Sequence, residues 1–101
     1  MVSKPELTGK QRRFLRALGT GVDPIIQIGK AGIGENTLKQ IDEALEAREL
    51  IKIRVLHNHD DEPKNTAKIL AEKVNAELVQ VIGRNVLLYR PSEKKSVIEL
   101  P

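Results

Sequence analysis

The chain has 101 residues, 40% of them apolar, with one Phe, one Tyr and no Trp, so a single domain must build its core from Leu, Ile, Val and Ala. It has no cysteine, which excludes disulfides, cysteine–zinc sites and thiol catalysis. The net charge of +3 is modest but unevenly spread: residues 1–40 carry seven Lys/Arg against three Asp/Glu, residues 41–77 six against nine, and residues 78–101 four against two. Such asymmetry can mark an anionic partner.

In chain order, "MVSKPELTGK" lacks the apolar core of a signal peptide. No apolar run approaches the roughly 20 residues of a membrane span. The expectation is a soluble, cytoplasmic protein without membrane attachment. "LTGKQRRFLRALG" then predicts a helix: Thr8 and Gln11 have the spacing of a capping box, and Gly19 or Gly21 can end it. On a helical wheel Phe14, Leu15 and Leu18 share one face, and Lys10, Arg12, Arg13 and Arg16 the opposite arc. "PIIQI", Pro24 to Ile28, predicts a short buried strand.

After a glycine-rich joint, "ENTLKQIDEALEARE" predicts a second helix, with Leu38, Ile41, Ala44 and Leu45 inward. Its acids Asp42, Glu43, Glu46 and Glu49 are read as solvated. "LIKIRVL" alternates, sending Ile51, Ile53 and Val55 one way and Lys52 and Arg54 the other. "HNHDDEPKNTAKILAEKVNA" predicts a loop and a third helix, capped by Asp60 or Asp61, with Pro63 in its first turn. Ala67, Leu70, Ala71 and Val74 form its apolar stripe. "ELVQVIGRNVLLYRP" predicts a hairpin that turns at Gly83-Arg84-Asn85. "SEKKSVIELP" is expected to be an extended tail, packing through Val97, Ile98 and Leu100.

The order α-β-α-β-α-β-β predicts a mixed four-stranded sheet with three helices mainly on one face, a two-layer α/β domain. The whole chain, 1–101, is read as that one domain, with a core of about residues 7–91.

Three features bear on function. Gly29, Lys30, Ala31 and Gly32 join a strand to a helix and match G-x-x-G, the loop by which KH-type domains clamp a nucleic-acid backbone. They match neither phosphate-loop nor dinucleotide-binding patterns. On this motif alone a tight turn needing positive φ is the better reading. The first helix has no acid from Thr8 to Gly21, so its like charges repel unless a polyanion neutralises them. Arg84, at a hairpin tip, is a turn residue by default and a backbone contact if it lies beside the other cations. His57-Asn58-His59-Asp60 reads as a polar loop and not as a metal site, since no third ligand accompanies it. No nucleophile has a partnered base, so there is no case for an enzyme, a cofactor or a small-molecule substrate.

The segments "LTGKQRRFLRALG", "PIIQIGKAGIGENTLKQIDEALEARELIKI" and "VQVIGRNVLLYRP", in that order, resemble the YhbY family, the stand-alone bacterial form of the CRM domain (chloroplast RNA splicing and ribosome maturation). The resemblance implies an α-β-α-β-α-β-β domain that binds RNA and associates with precursors of the large ribosomal subunit, with its G-x-x-G loop at Gly29, Lys30, Ala31 and Gly32. RNA, as large-subunit rRNA or in pre-ribosomal particles, is then the expected partner. The cations Lys10, Arg12, Arg13, Arg16 and Arg84 are added on electrostatic grounds. Without an aromatic platform, recognition is expected to rest on backbone and shape. The alternative is a protein–protein adaptor on the ribosome or its assembly factors, docking through the acidic second helix.

Overall fold

The capping box predicted at Thr8 forms. The Gln11 amide donates to Thr8 Oγ1 at 3.1 Å, and the Thr8 amide donates to Gln11 Oε1 at 3.0 Å. From this start the computed structural model, which describes residues 6–94 and 96–101, runs α1 (Gly9–Gly19), β1 (Pro24–Ile28), α2 (Glu35–Arg48), β2 (Leu50–Val55), α3 (Pro63–Lys73), β3 (Glu77–Ile82) and β4 (Asn85–Tyr89). The predicted order of elements holds throughout. Residues 1–5, which open the segment read above as lacking a signal peptide, and residue 95 of the tail lie outside the described residues. Among the described residues no helix is long and apolar enough to cross a membrane.

The sheet is mixed, in the order β1-β2-β4-β3. β1 and β2 are parallel and joined through α2; β4 lies antiparallel to both β2 and β3. The alternation read in β2 decides what each face carries. Ile51, Ile53 and Val55 join Ile26, Ile28, Val86 and Leu88 in the main core, beneath Ile41 and Leu45 of α2 and Ala67, Leu70 and Ala71 of α3. That is the expected two-layer frame.

The opposite face is covered at one end only. There α1 packs through Leu15 on Leu50, Val79, Leu87 and Tyr89, with Phe14, Ile98 and Leu100 around them. The last turn of α1 lies so close that a Cβ on Gly19 would come within 2.5 Å of Leu87 Cδ2. This approach turns α1 away from its predicted phase. Leu18, expected inside, is 41% exposed, while Arg12 is drawn in against β3.

The described residues of the tail, 92–94 and 96–101, form no helix or strand, and their anchors correct the reading of α2. Glu49 is fully buried. Its carboxylate accepts the backbone N–H groups of Ser92, Val97 and Ile98, each at 2.6 Å. Glu46 accepts from the Ser92 hydroxyl and the Glu93 and Lys94 amides. These two acids, placed by the helical wheel on a solvated face, hold Ser92, Glu93, Lys94, Val97 and Ile98 against the domain. Buried carboxylates persist only when hydrogen-bonded, and here backbone donors supply the bonds.

Candidate nucleic-acid interface

The glycine joint is a tight turn whose glycines serve different ends. The Gly32 amide donates to the Gly29 carbonyl at 3.0 Å. Gly32 has φ +73, a left-handed conformation that side chains disfavour. At Gly29 a Cβ would meet Asn58 Oδ1 and Leu56 Cδ1 at 3.3 Å, so those side chains would have to give by a few tenths of an ångström. Lys30 and Ala31 stand exposed at the tip. Gly34 is the N-cap of α2 and offers no side-chain cap, so the first amides of α2 are not blocked by a side chain. Glu35 in the first turn offsets part of the positive end of that helix.

The loop is braced from α3. His59 Nδ1 lies 3.1 Å from the Gly29 carbonyl, and His59 Nε2 lies 3.0 Å from Thr66 Oγ1. A carbonyl only accepts, so Nδ1 carries a proton, and in the neutral ring Nε2 accepts the Thr66 hydroxyl. Thr66 is fully buried. His59 therefore links the turn to a rigid helix, while His57 is exposed. Among the described residues no group of three His, Cys, Asp or Glu is placed to hold a metal ion. The predicted cap of α3 also shifts: Glu62 is the N-cap, and Asp61 Oδ1 instead accepts the Glu62 amide at 2.8 Å and the Asn65 side chain at 3.2 Å.

The basic arc of α1 divides. Lys10, Arg13 and Arg16 are exposed. Arg12 is not part of a free arc: it forms an ion pair with Glu77 and donates to the Leu78 carbonyl at 3.1 Å. It ties α1 to the start of β3. Arg84 also has structural work. Its Nη1 donates to the Val55 and Leu56 carbonyls at 3.4 and 3.2 Å, and its own carbonyl accepts the Val55 amide at 2.7 Å. The hairpin turn is thereby fastened to the end of β2.

The fold thus gathers residues 29–34, Arg84 and the residues after β2 at one end of the sheet. Lys10, Arg13 and Arg16 sit on α1 over the other end. Between them lies uncovered sheet. Sequence reasoning missed the His59 brace, the Arg12 tie and the Glu49 anchor. All three join residues far apart in the chain, and no local spacing marks them.

The sequence matches the profile of the CRS1/YhbY (CRM) domain across residues 7–90. The chain belongs to the CRS1/YhbY (CRM) domain family. This CRM domain is 48% identical over 95 residues to "Probable RNA-binding protein YqeI" of Bacillus subtilis, covering 94% of this chain and 99% of that protein. It is 35% identical over 95 residues to an "RNA-binding protein" of Haemophilus influenzae, covering 94% and 95% of the two chains. The solution structure of a Staphylococcus aureus protein, described as a candidate RNA-binding protein, superposes with a TM-score of 0.79 at 55% identity, over 95% of this chain and 100% of that one.

Proposed function

We propose that this CRM domain binds RNA without catalysing a reaction on it, acts in the cytoplasm, and associates with precursors of the large ribosomal subunit. The observation that carries the RNA-binding part is the loop: an exposed Lys30, a turn with no side chain at Gly29 or Gly32, and a following helix whose N-cap lacks a capping side chain. A sugar–phosphate backbone can approach such a surface to hydrogen-bonding distance. The exposed Lys10, Arg13 and Arg16 add charge that orients the polyanion. The names of the relatives support the same reading. The ribosomal part rests on the family resemblance. The adaptor reading loses ground because Glu46 and Glu49, half of the acids it relied on, are occupied by the tail.

The test is RNA binding by the wild type, Lys30→Glu and Gly34→Asp. The backbone at Gly34 is extended and nothing lies within 4 Å of a Cβ there. Asp is a better N-cap than Gly by a few tenths of a kcal/mol, so this variant is expected to fold at least as well. It also sets a carboxylate where a phosphate would sit. Both variants are expected to weaken RNA binding about tenfold. A folded Gly34→Asp protein that binds RNA as tightly as wild type removes the loop from the interface. For the ribosomal part, the tagged protein is expected to sediment with large-subunit precursors. Migration only with small-subunit particles or free protein would overturn it.

A further inference from the structure

The half of the sheet that α1 leaves uncovered has a composition that the loop reading does not explain. Register places Gln27 beside Arg54, Arg54 beside Asn85, and Asn85 beside Ile82. These four form one row across all four strands, on the face opposite the main core. The next row, towards α1, contains Lys52, Leu87 and Gln80. Gln27 and Arg54 are exposed and Ile82 is 62% exposed. A shallow depression of about 110 Å³ lies among Lys52, Gln80, Ile82, Asn85 and Leu87.

The charges on this face have one sign. The acid that the register adds to it, Glu77, is consumed by Arg12. The side chains of Lys52 and Arg54 have no hydrogen-bond or ion-pair partner among the described residues. A merely solvated sheet face ordinarily mixes signs, because opposite charges on neighbouring strands stabilise the pairing. This strip joins the loop at one end to the free cations of α1 at the other.

We propose that the strip formed by Gln27, Lys52, Arg54, Gln80 and Asn85 is a second RNA-contact surface that takes the shallow minor groove of a double-helical RNA segment. The proposal rests on the RNA-binding reading above and deepens it. Three observations choose this occupant. Single strands are held by stacking bases on aromatic rings, but Tyr89 is buried and Phe14 is half-buried against the tail. The minor groove of A-form RNA is wide and shallow and displays 2′-hydroxyls, which both donate and accept. Amide side chains do the same, and here Gln27 and Gln80, with Asn85 between them whose own Oδ1 is buried, are interleaved with two cations that can reach the flanking phosphates. The row spans three strand spacings, roughly 14 Å, a breadth suited to a groove.

The experiment compares wild type, Gln27→Ala/Arg54→Ala and Lys30→Glu on an RNA hairpin stem, a DNA duplex of the same sequence and a single-stranded RNA. Both positions in the double variant are exposed, and thermal unfolding checks its fold. The double variant is expected to bind the stem about tenfold more weakly and to lose the preference for RNA over DNA. Lys30→Glu is expected to weaken both duplexes alike. Wild-type binding of the stem by the double variant overturns the strip and leaves the loop standing if Lys30→Glu is impaired. Equal losses on RNA and DNA reduce the strip to unspecific charge and overturn groove recognition. A loss confined to single-stranded RNA overturns the choice of occupant. If wild type binds none of the three, the RNA reading falls and the strip with it.

Discussion

His59 shows how one side chain can govern a loop without standing in the interface. Its two ring nitrogens connect the Gly29 carbonyl to Thr66, and the same carbonyl accepts the Gly32 amide that closes the turn. His59→Ala removes both bonds and leaves the buried Thr66 hydroxyl without that partner, a loss of about 1–2 kcal/mol. The expected outcome is faster hydrogen exchange at the Gly32 amide and weaker RNA binding, with an unchanged number of cations. Wild-type protection of that amide in the variant would show that the turn holds itself. The glycines of this loop were legible in the sequence because the left-handed turn at Gly32 imposes a residue type at its own position. The brace was not, because its partner lies 30 residues away.

At the scale of elements, the departures from the sequence reading in α1 and α2 share a cause. A helical wheel assigns the buried face from the apolar residues of one helix. It cannot see a neighbour that offers a polar partner. Glu77 and the Leu78 carbonyl draw Arg12 inward, and close packing at Gly19 leaves Leu18 outside. Likewise three amides of the tail turn Glu49 from a surface acid into a buried anchor. Glu49→Ala is expected to cost about 2–3 kcal/mol, the order for losing hydrogen bonds to a charged group, limited because the freed tail is re-solvated. Exchange at the Val97 and Ile98 amides should rise with it; unchanged protection there would mean the tail packs through its apolar residues alone. The same junction predicts a pH window. The Ser92 hydroxyl, then the Glu93 amide, lower the pKa of Glu46. Its contribution is therefore present above the unfolded carboxylate range and lost as pH falls through the folded value. Burial first, then the charge of Glu49, raises the pKa of Tyr89. Its contribution is present below the unfolded tyrosine value and lost as pH rises through the folded one. Urea midpoints are expected to fall at both extremes, and Glu46→Gln to flatten the acid limb; an unchanged acid limb would discard Glu46 as its source.

For the whole molecule, order, sheet type and main core were legible because the periods of hydrophobicity switch cleanly between helix and strand. The division of the cations was not, since charge in a sequence does not say which groups are spent on the fold. Two substitutions separate those roles. Arg13 and Arg16 are exposed, so Arg13→Ala/Arg16→Ala is expected to leave the melting temperature nearly unchanged. If both neutralise phosphates, the slope of log affinity against log salt should become shallower by about 1.4–1.8, at 0.7–0.9 per contact. Arg12→Ala should behave in the opposite way. It leaves Glu77, whose side chain is 15% exposed, without its ion pair, and the Leu78 carbonyl without that donor. After allowance for the partial exposure of Arg12, about 1 kcal/mol is lost, which for a domain of this size lowers the melting temperature by about 4–8 °C. Its salt slope should match wild type. A shallower slope in Arg12→Ala would mean that the Glu77 pair opens to release a cation to the RNA. An unchanged slope in the Arg13/Arg16 variant would remove α1 from the interface and leave the loop and the sheet strip to carry it.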